Sequence, residues 1–479
     1  MNNKQWEIHS AYGGLSAGDL GRIMGDRGLN PFTQAELLAA ALAMPFKETG
    51  RAHYRALIED EQGRRAYDQD QIARGVSWLE RLGLSPSPFD AFDLLPRYSF
   101  ALDLRFTLAR PYLSRDDDAF YIIDNPVRKD KVFKVPLVAP TSWKGALRAS
   151  ATRGLLDEWR GLLPDSPPQG KAERKALLDP LCESRARRVM IFGNEKKKDA
   201  DYLNRWLVSR LYRPQPDQDG KTRHRYLHRR AKALGRCFEA YLVSEAYRTE
   251  RVEGRQGRLF CFPTFFDRIG LEIINPHDRE RRVGKNPILF ECVPAGASGE
   301  FRLLYVPYDL SSQVTPDEAV LRGQVREHLP LVAQAVADTL AVYGFGAKTS
   351  SGYGTADPVA QKVKLGLNLM VEQESPEAQH YRAMQAEVDK FVEKYKLPEF
   401  PYWDQEELAA SDWGRKRQSD YKRLRDQHPD WDAETRQWHQ PAPPPEQERH
   451  PLMIEEESLG LDKLPQAVGQ LLTQTGGAA

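Results

Sequence analysis

Residues 98–110 read YSFALDLRFTLAR, and this stretch decides the fold class. Phe100, Leu102, Leu104 and Phe106 stand at every second position, with polar or small residues between them. That period of two is the pattern of a β-strand with one face toward a core, whereas a helix repeats its apolar residues every three or four positions. The stretch therefore predicts a half-buried strand.

Apolar segments after this strand predict the rest of a mixed domain. Strand cores rich in Phe, Ile and Val lie at residues 258–266, 287–293 and 300–308. One helix is predicted from Ser142 to about Trp159 and another from about Pro316 to Tyr343. The apolar side of the second helix is predicted to comprise Leu329, Val332, Val336, Leu340 and Val342. The order strand, helix, strands, helix is typical of an α+β domain of the ferredoxin-like or RRM-like kind.

Changes in composition divide the chain into four parts. We expect a helical N-terminal extension over residues 1–95, a core over 96–365, a helical C-terminal region over 366–440 and a flexible tail over 441–479. Clusters of proline mark the first and the last of these boundaries. Residues 199–257 are polar with a helical pattern, and we expect them to interrupt the core as an insertion.

The composition limits the classes of protein to which the chain can belong. A chain of 479 residues with 41% hydrophobic residues can bury a core, and its net charge of +1 means that any nucleic-acid surface must concentrate its basic residues locally. Its four cysteines form no CxxC pair, which argues against zinc and redox motifs and fits a reducing compartment. Signal-peptide and membrane-span patterns are absent, so we expect a cytoplasmic protein without a membrane partner.

The stretch DNPVRKDKVFKVPLVAPTSWKGALR, residues 124–148, carries the first candidate site. The Asn-Pro pair after Asp124 favours a turn and presents this aspartate on a loop. Thr141 or Ser142 is predicted to cap a helix, with Lys144 in its first turn. A cation there opposes the helix dipole, so Lys144 and the free backbone N–H groups suit a phosphate. A solvated lysine at a helix start explains the same residues.

Residues 344–354 read GFGAKTSSGYG, in which two Gly-hydrophobic-Gly units are separated by five residues. Glycine allows close backbone approach and positive φ, and the ammonium and hydroxyl groups between the units suit phosphate oxygens. Because the stretch follows a predicted helix, it is neither a P-loop nor a Rossmann turn. The residues of this candidate phosphate-binding loop are Gly344, Gly346, Lys348, Thr349, Ser350, Gly352 and Gly354.

A third segment concentrates basic residues inside the predicted insertion. From Arg205 to Arg236, ten Lys or Arg residues stand against two Asp, with tyrosines and histidines between them. Basic residues interleaved with aromatic ones suit backbone contact and base stacking. A solvated charged helix explains the same pattern. The residues of this segment predicted to bind RNA are Arg223, Arg225, Arg229 and Arg230.

These motifs, in this order, resemble those of the RAMP superfamily of CRISPR-associated proteins. The likeness is greatest to the backbone subunits of type III effector complexes, which carry an Asp-x-Pro-Val loop, a Leu-Lys-Gly-x-x-Arg helix start and a C-terminal glycine-rich loop. The matching positions of the first two motifs are Asp124, Pro126, Val127, Ser142, Lys144, Gly145 and Arg148. The chain departs from the family at Ala139-Pro140, where Pro-Gly is common, and at Trp143, where Leu is common. The resemblance covers roughly residues 98–357.

Residues 273–296 also resemble the family, in which a hairpin called the thumb precedes a Val-Pro-x-Gly turn. The family's thumb pushes between nucleotides and splays the duplex. Guanidinium groups suit this task because they bind phosphate in a fork and stack on bases. A solvated basic hairpin is the alternative. The residues that the resemblance places on the thumb are Arg279, Arg281, Arg282 and Lys285.

The resemblance implies partners and a reaction. The chain is expected to bind CRISPR guide RNA through Ser142, Lys144, Arg148 and the glycine-rich loop, to meet target RNA, and to assemble with other effector subunits or copies of itself. Asp124 is implied as the catalytic residue, beside the scissile phosphate, with Mg²⁺ or Mn²⁺. Asp117, in an acidic run just upstream, is expected to help hold that metal, although three adjacent acids are also typical of a solvated loop.

Three other functions stay open from the residues alone. A member of the superfamily that only binds RNA would share every motif and leave Asp124 inactive. A guide-processing endonuclease typically uses a histidine as general acid or base, and none of the ten histidines falls in a motif that we can place. A structural protein would carry the motifs by coincidence. The match at Asp124 favours the slicing subunit.

Overall fold

The computed structural model describes most of the chain. The described residues are 47–58, 71–116, 122–195, 197–212, 220–246, 256–275, 287–307, 318–372, 376–401, 403, 405–427, 431–432, 437–438 and 449–474. Much of the predicted N-terminal extension, residues 1–46 and 59–70, lies outside them. The same holds for Asp117, Arg279, Arg281, Arg282 and Lys285, whose predicted roles stay predictions.

Helices and strands follow one another in blocks. The helices are α1 (Lys47–Ile58), α2 (Ala73–Arg81), α3 (Pro140–Leu162), α4 (Lys171–Phe192), α5 (Lys197–Leu211), α6 (Gly220–Tyr241), α7 (Glu318–Asp338), α8 (Pro376–Tyr395), α9 (Gln405–Ala410), α10 (Arg415–Gln427) and α11 (Leu464–Gln474). The strands are β1 (Phe100–Thr107), β2 (Leu137–Val138), β3 (Leu259–Cys261), β4 (Thr264–Phe265), β5 (Gly270–Ile274), β6 (Ile288–Cys292), β7 (Ser298–Tyr305), β8 (Val359–Glu372), β9 (Trp431–Asp432), β10 (Gln437–Trp438) and β11 (Arg449–Gly460).

A five-stranded sheet organises the domain, in the order β11-β8-β1-β7-β3. The predicted strand at residues 98–110 is β1, which lies at the centre and pairs antiparallel with both β7 and β8. Phe100 stands opposite Tyr305, and their rings stack with centroids 4.3 Å apart. The prediction of a mixed α+β fold is confirmed.

The two faces of β1 follow the alternation of its sequence. Phe106 faces α3 and meets Trp143 edge-on, with ring centroids 6.1 Å apart. On the other face, Asp103 accepts hydrogen bonds from Arg302 Nε at 2.9 Å and from Ser87 Oγ at 3.1 Å. Arg302 also donates to the Ser85 carbonyl at 2.9 Å. The segment after α2 therefore covers the polar face of the sheet.

The start of α3 corrects one prediction. Ala139 is the N-cap residue, Pro140 takes the first helical position, and no side chain caps the helix. The predicted cap at Thr141 or Ser142 is therefore wrong. Proline suits this position because its φ is preset and its missing N–H would have no partner there anyway. Lys144 consequently lies beyond the first turn.

The end of α7 corrects another prediction. Leu329, Val332, Val336 and Leu340 are buried as expected, but Val342 is 64% exposed. A π-helical turn spans Thr339–Tyr343 at this point. Because a π turn contains more residues than an α turn, it rotates the last apolar side chain out of the core. Such turns are frequent at functional sites.

Within the described residues, three α-helices lie between α3 and β3. The described residues 171–241 form α4, α5 and α6, so the helical block begins before the predicted insertion boundary at residue 199. A separate apolar cluster joins this block to the end of α3 and includes Leu155, Trp159, Leu207 and Leu234. The long α3 thus belongs to two cores, one under the sheet and one inside the insertion.

The chain divides into two compact units, one of residues 1–368 and 453–479 and the other of residues 369–452. In the second unit, α8, α9 and α10 share a core that includes Phe391, Leu408 and Tyr421. Residues 449–474 form β11 and α11, which contradicts the predicted flexible tail there. The prolines upstream had suggested a loose end, but Leu464, Val468 and Leu471 at helical spacing are buried.

Candidate nucleic-acid interface

The glycine-rich loop directly follows the π-helical turn and is closed by backbone hydrogen bonds. The Phe345 N–H donates to the Gly354 carbonyl at 3.0 Å, which joins the two ends of the loop. Ala347 N–H donates to Leu113 O, and Gly354 N–H donates to Pro111 O, each at 2.8 Å. These bonds fasten the loop to the segment after β1.

Steric contacts explain why glycines occupy this loop. Gly346 has a φ of +89°, and a Cβ there would lie 2.4 Å from the Leu113 carbonyl oxygen. Gly354 has a φ of +72°, and a Cβ there would lie 2.0 Å from the Phe345 carbonyl oxygen. Any other residue must move the backbone. Gly352 differs, since it has a φ of +84° but open space around its Cβ position.

Phe345 connects the loop to the start of α3. Its ring lies 4.4 Å from that of Trp143 and 5.8 Å from that of Phe106, centroid to centroid. Trp143 is fully buried, and its indole N–H donates to Thr264 Oγ1 at 2.9 Å. The two motifs that are farthest apart in the sequence therefore meet in one aromatic cluster.

The exposed tip of the loop carries the polar residues. Lys348 is exposed, adopts a left-handed conformation with a φ of 59°, and places its Nζ 5.8 Å from the centroid of the Phe290 ring. Ser350 is exposed and Thr349 is half-buried. Tyr353 at the far end donates its hydroxyl to Glu272 of β5 at 3.0 Å. The loop therefore lies against the hairpin formed by β5 and β6.

This hairpin flanks the predicted thumb. Gly270 pairs with Cys292 and Ile274 with Ile288, in antiparallel register. Residues 276–286, between the two strands, lie outside the described part of the chain. The basic residues predicted there are among these residues, and their role in RNA contact stays a prediction.

Asp124 lies on a loop that pairs with β6 of the same hairpin. Asn125 forms a bridge with Phe290, and the Glu291 N–H donates to the Asn125 carbonyl at 3.0 Å. The Asp124 side chain is 57% exposed, and its carboxylate is 2.5 Å from Arg51 Nη2 of α1. Arg51 Nε also donates to the Ile122 carbonyl at 3.2 Å. The predicted catalytic carboxylate is therefore surface-accessible and ion-paired.

A buried ion pair holds the Asp124 loop from beneath. Glu291 is fully buried and pairs with Lys129, which is also buried. The second carboxylate oxygen of Glu291 accepts a hydrogen bond from the Tyr54 hydroxyl of α1. Val127 N–H donates to the Lys129-bound oxygen at 3.0 Å. Such a site needs every partner, since an uncompensated buried charge is strongly destabilising.

The described residues do not by themselves form a divalent cation site. No group of three or more His, Cys, Asp or Glu side chains in that part of the chain is arranged to hold a metal ion. Asp124 already faces a guanidinium, and the nearby Asp116 carboxylate accepts hydrogen bonds from Lys129 N–H and Lys131 Nζ. The donor set thus does not fit the Mg²⁺ or Mn²⁺ predicted from the resemblance without further ligands.

Lys144 is a half-buried cation beside β3. Its Nζ lies 6.0 Å from the centroid of the Phe260 ring, and it has no carboxylate partner among the described residues. Burial lowers the pKa of the Lys144 ammonium, Cys261 opposes that shift, and the nearby Arg148 guanidinium adds to it. The burial means that this positive charge is partly desolvated, and an anion would stabilise it. Ser142, one position before Trp143, is exposed.

Arg148 makes a structural contact between two helices. Its Nη2 donates to the Phe192 carbonyl at the end of α4, which ties α3 to the insertion. Burial lowers the pKa of Arg148, while Asp199 and Glu195 oppose that shift. The structure does not bring Arg148 to an open surface as it does Ser142, and its contact with RNA stays a prediction.

The predicted basic residues of the insertion all lie on α6. Arg223, Arg225, Arg229 and Arg230 are exposed. The Arg230 guanidinium lies 4.9 Å from the ring centroid of Tyr212 and 5.2 Å from that of Tyr226. The structure places this helix in the insertion core, apart from the aromatic cluster of Trp143 and Phe345, so the predicted RNA-binding residues form two groups rather than one.

Several site residues escaped the sequence reasoning. Arg51 lies in the N-terminal extension and gives no local signal of its partner, which is 73 positions away. Glu291 carries the clearest missed signal, because a single acid in the apolar run ILFEC implies a buried charge that must be paired. Phe290, which touches both loops, looks like any strand residue.

Comparisons with known proteins assign the family. The model of the RAMP superfamily matches residues 105–357, which is more than half of the chain. Among the curated proteins, no match was found. No helix of the described residues is long and apolar enough to cross a membrane.

Solved structures of CRISPR proteins are similar at low identity. One is a chain of the type III-B Cmr-beta complex bound to cognate target RNA, with 11% identity, a TM-score of 0.35, and coverage of 73% of this chain and 99% of that chain. Another belongs to a CRISPR RNA-guided surveillance complex in a pre-nicking state, with 10% identity, a TM-score of 0.26, and coverage of 63% and 90%. Cmr6 from Pyrococcus furiosus has 15% identity, a TM-score of 0.24, and coverage of 54% and 97%. The assignment rests on the family model rather than on these scores, and by that match the chain belongs to the RAMP superfamily.

Proposed function

We propose that this chain is a subunit of a type III CRISPR effector complex and binds the guide RNA at the start of α3 and the glycine-rich loop. The observation that carries the proposal is Lys144, a half-buried cation without a carboxylate partner in the described chain. Its neighbour Trp143 packs on Phe345 of the loop. A phosphodiester would supply the missing negative charge, and the loop offers Lys348 and hydroxyl groups for further phosphates.

We also propose that the centre of the fold is RRM-like. The chain order β1, α3, β3, β7, α7, β8 and the sheet order β8-β1-β7-β3 support this assignment. An RRM binds RNA on the open face of its sheet. Here Ser85 and Ser87 hydrogen-bond to Arg302 and Asp103 on that face. Guide RNA is therefore expected at the loop side, not on the sheet.

The second part of the proposal is cleavage of the paired target RNA at Asp124. An exposed carboxylate can accept the proton of a 2′-hydroxyl while that oxygen attacks the adjacent phosphorus. The bond to the 5′-oxygen then breaks, and this oxygen takes a proton from water, which leaves a 2′,3′-cyclic phosphate and a 5′-hydroxyl. The 57% exposure of Asp124 supports access to RNA, and Arg51 would contact the phosphate as its negative charge grows.

Mg²⁺ or Mn²⁺ stays an expectation from the family resemblance. The described carboxylates do not complete a site, so no step of the reaction is assigned to the metal. Asp124 is the residue at which such an ion would be held, and when bound it would neutralise phosphate charge.

Binding without cleavage is the second candidate, and the Arg51–Asp124 ion pair favours it. A guanidinium 2.5 Å from the carboxylate oxygen competes for it with a cation or with an incoming hydroxyl group. In this alternative, Arg51 serves to lock the loop, and the complex holds target RNA without cutting it.

One experiment separates these functions. The complex is purified, its bound RNA is sequenced, and complementary RNA is added with Mg²⁺, Mn²⁺ or EDTA, for the wild type and for Asp124→Asn. We expect bound CRISPR RNA in both, and cleavage at least about 100-fold slower in the variant, because general-base catalysis contributes about that much. Absence of bound small RNA would refute the CRISPR assignment. Wild-type cutting by the variant would remove Asp124 from the mechanism.

A second pair of variants tests the guide site. Lys144→Ala is expected to lower the amount of guide RNA that co-purifies, because it removes the half-buried cation. Lys131→Ala is the matched control, since Lys131 is 73% exposed and pairs with Asp116. Equal guide content in both variants would contradict the proposed role of Lys144.

A further inference from the structure

Helix α6 presents a basic row to solvent on the side opposite its buried residues. Ala231, Leu234 and Phe238 are its buried side chains and define the inner side of the helix. At 3.6 residues per turn, five basic residues fall within an arc of about 80° on the outer side, and Glu239 falls at one edge of the same arc. The members of this basic row are Lys221, Arg225, Arg229, Lys232 and Arg236, and all are exposed.

The row is long and uniform in charge. It spans fifteen residue steps, or about 22 Å of helix. The one acid on α6 is Glu239, at its C-terminal end. No member of the row forms an ion pair with a carboxylate of the described chain. Like charges three or four residues apart repel one another, so the row destabilises the free helix and favours a bound polyanion.

The neighbouring helix α4 shows that the fold pairs its structural arginines. Arg185 pairs with Glu195 at 2.5 Å, Arg188 with Glu158 at 2.8 Å, and Arg187 with Glu327 at 3.0 Å. Each of these three arginines of α4 thus has a glutamate partner. The basic row of α6 has no such partners in the described chain, so its charges are not compensated there.

The remaining basic residues of α6 lie elsewhere on the helix. Arg223 and Arg230 fall about 140–160° from the centre of the row. Arg230 stacks between Tyr212 and Tyr226, and so supports the packing of the insertion. Only Arg225 and Arg229, of the four arginines predicted from the sequence, belong to the row.

We propose that the basic row of α6 binds the phosphodiester backbone of RNA without reading its sequence, separately from the Lys144 site. Protein–protein interfaces have an apolar core, and the outer arc of α6 has no apolar residue. Backbone phosphates need only cations along their path, and one strand of a duplex carries a phosphate about every 3.4 Å of axis. The choice of RNA as the polyanion rests on the proposed function, whereas the presence of the basic row is observed independently of it.

The test uses the full chain and a fluorescein-labelled single-stranded RNA of unrelated sequence. One variant carries Arg225→Gln, Arg229→Gln and Arg236→Gln. The matched control carries Arg160→Gln, Lys171→Gln and Lys175→Gln, which removes three exposed charges from α3 and α4. Fluorescence anisotropy is measured over a range of salt concentrations, and circular dichroism checks that both variants keep their helix content.

We expect the row variant to lose about 2 units from the slope of log K against log salt, because each phosphate contact contributes about 0.7. At 0.1 M salt this corresponds to roughly 100-fold weaker binding. The control is expected to keep the slope of the wild type. A row variant with unchanged slope and affinity would overturn the proposal. A reduced dependence of RNA binding on salt, together with unchanged cleavage of target RNA, would support the proposal. The role of the basic row and the role of Asp124 can therefore be refuted independently.

Discussion

The glycine-rich loop and the Asp124 loop lie on the same β5–β6 hairpin but are held by different forces. The glycine-rich loop is shaped by close backbone contacts at Gly346 and Gly354 and by the packing of Phe345. The Asp124 loop is held by charges, with the Glu291–Lys129 pair beneath and Arg51 above. The glycine-rich loop depends on small residues, and the Asp124 loop depends on charged ones.

This difference separates two tasks of one surface. A loop shaped by steric contacts keeps its backbone N–H groups and hydroxyls in place when salt or a ligand changes, which suits permanent binding of a backbone. A loop held by ion pairs responds when a polyanion or a cation arrives, because its charges can be exchanged for those of the ligand. Substitutions that remove one kind of force should affect one loop and spare the other.

Breaking the buried ion pair should have the largest effect on stability. Lys129→Met leaves Glu291 buried without a cation, which is expected to lower the free energy of unfolding by about 3–5 kcal/mol. Lys131→Met, at the exposed pair with Asp116, is expected to change it by less than about 1 kcal/mol. Urea denaturation followed by circular dichroism measures both.

A double variant checks the cause of that loss. Lys129→Met with Glu291→Gln removes both charges and keeps a hydrogen-bond acceptor for Tyr54, so it is expected to regain much of the stability. If the double variant is as unstable as Lys129→Met alone, then packing rather than charge accounts for the effect.

Filling the glycine-rich loop should have the next largest effect. Gly354→Ala places a Cβ 2.0 Å from the Phe345 carbonyl oxygen at a φ of +72°, and is expected to cost about 2–4 kcal/mol. Gly352→Ala keeps a positive φ but has open space, so about 1 kcal/mol is expected. Thermal unfolding of the two variants compares them directly. Equal losses would show that backbone conformation alone, and not the contact, requires glycine here.

The sequence predicted the steric features of the fold better than its ion pairs. A period of two at residues 98–110 and four glycines at residues 344–354 are local signals, because each follows from what one residue type can do to its own backbone. The partners of Glu291 are not local, since Lys129 lies 162 positions away. Ion pairs between distant segments depend on the finished fold, and so neither Lys129 nor Arg51 could be identified in advance.

Local signals also failed where two of them competed. Thr141 and Ser142 are good caps, yet Pro140 begins α3 two or three residues earlier than those residues would allow. Val342 continues the apolar pattern of α7, yet the π-helical turn exposes it. In both places a second local feature, the proline at the start of α3 and the π-helical turn after α7, overrides the simpler pattern.

Releasing Asp124 should have the smallest effect on stability and the most local one. Arg51→Gln is expected to change the free energy of unfolding by less than about 1 kcal/mol, because Asp124 is 57% exposed. Hydrogen exchange of residues 122–125 should nevertheless speed up, since the Ile122 carbonyl also loses its Arg51 partner. Asp124→Asn weakens the same pair from the other side, and should give a smaller increase because the bond to Ile122 remains. Equal exchange in both variants would mean that the salt bridge alone orders this loop, whereas unchanged exchange in both would mean that Glu291 beneath it is sufficient.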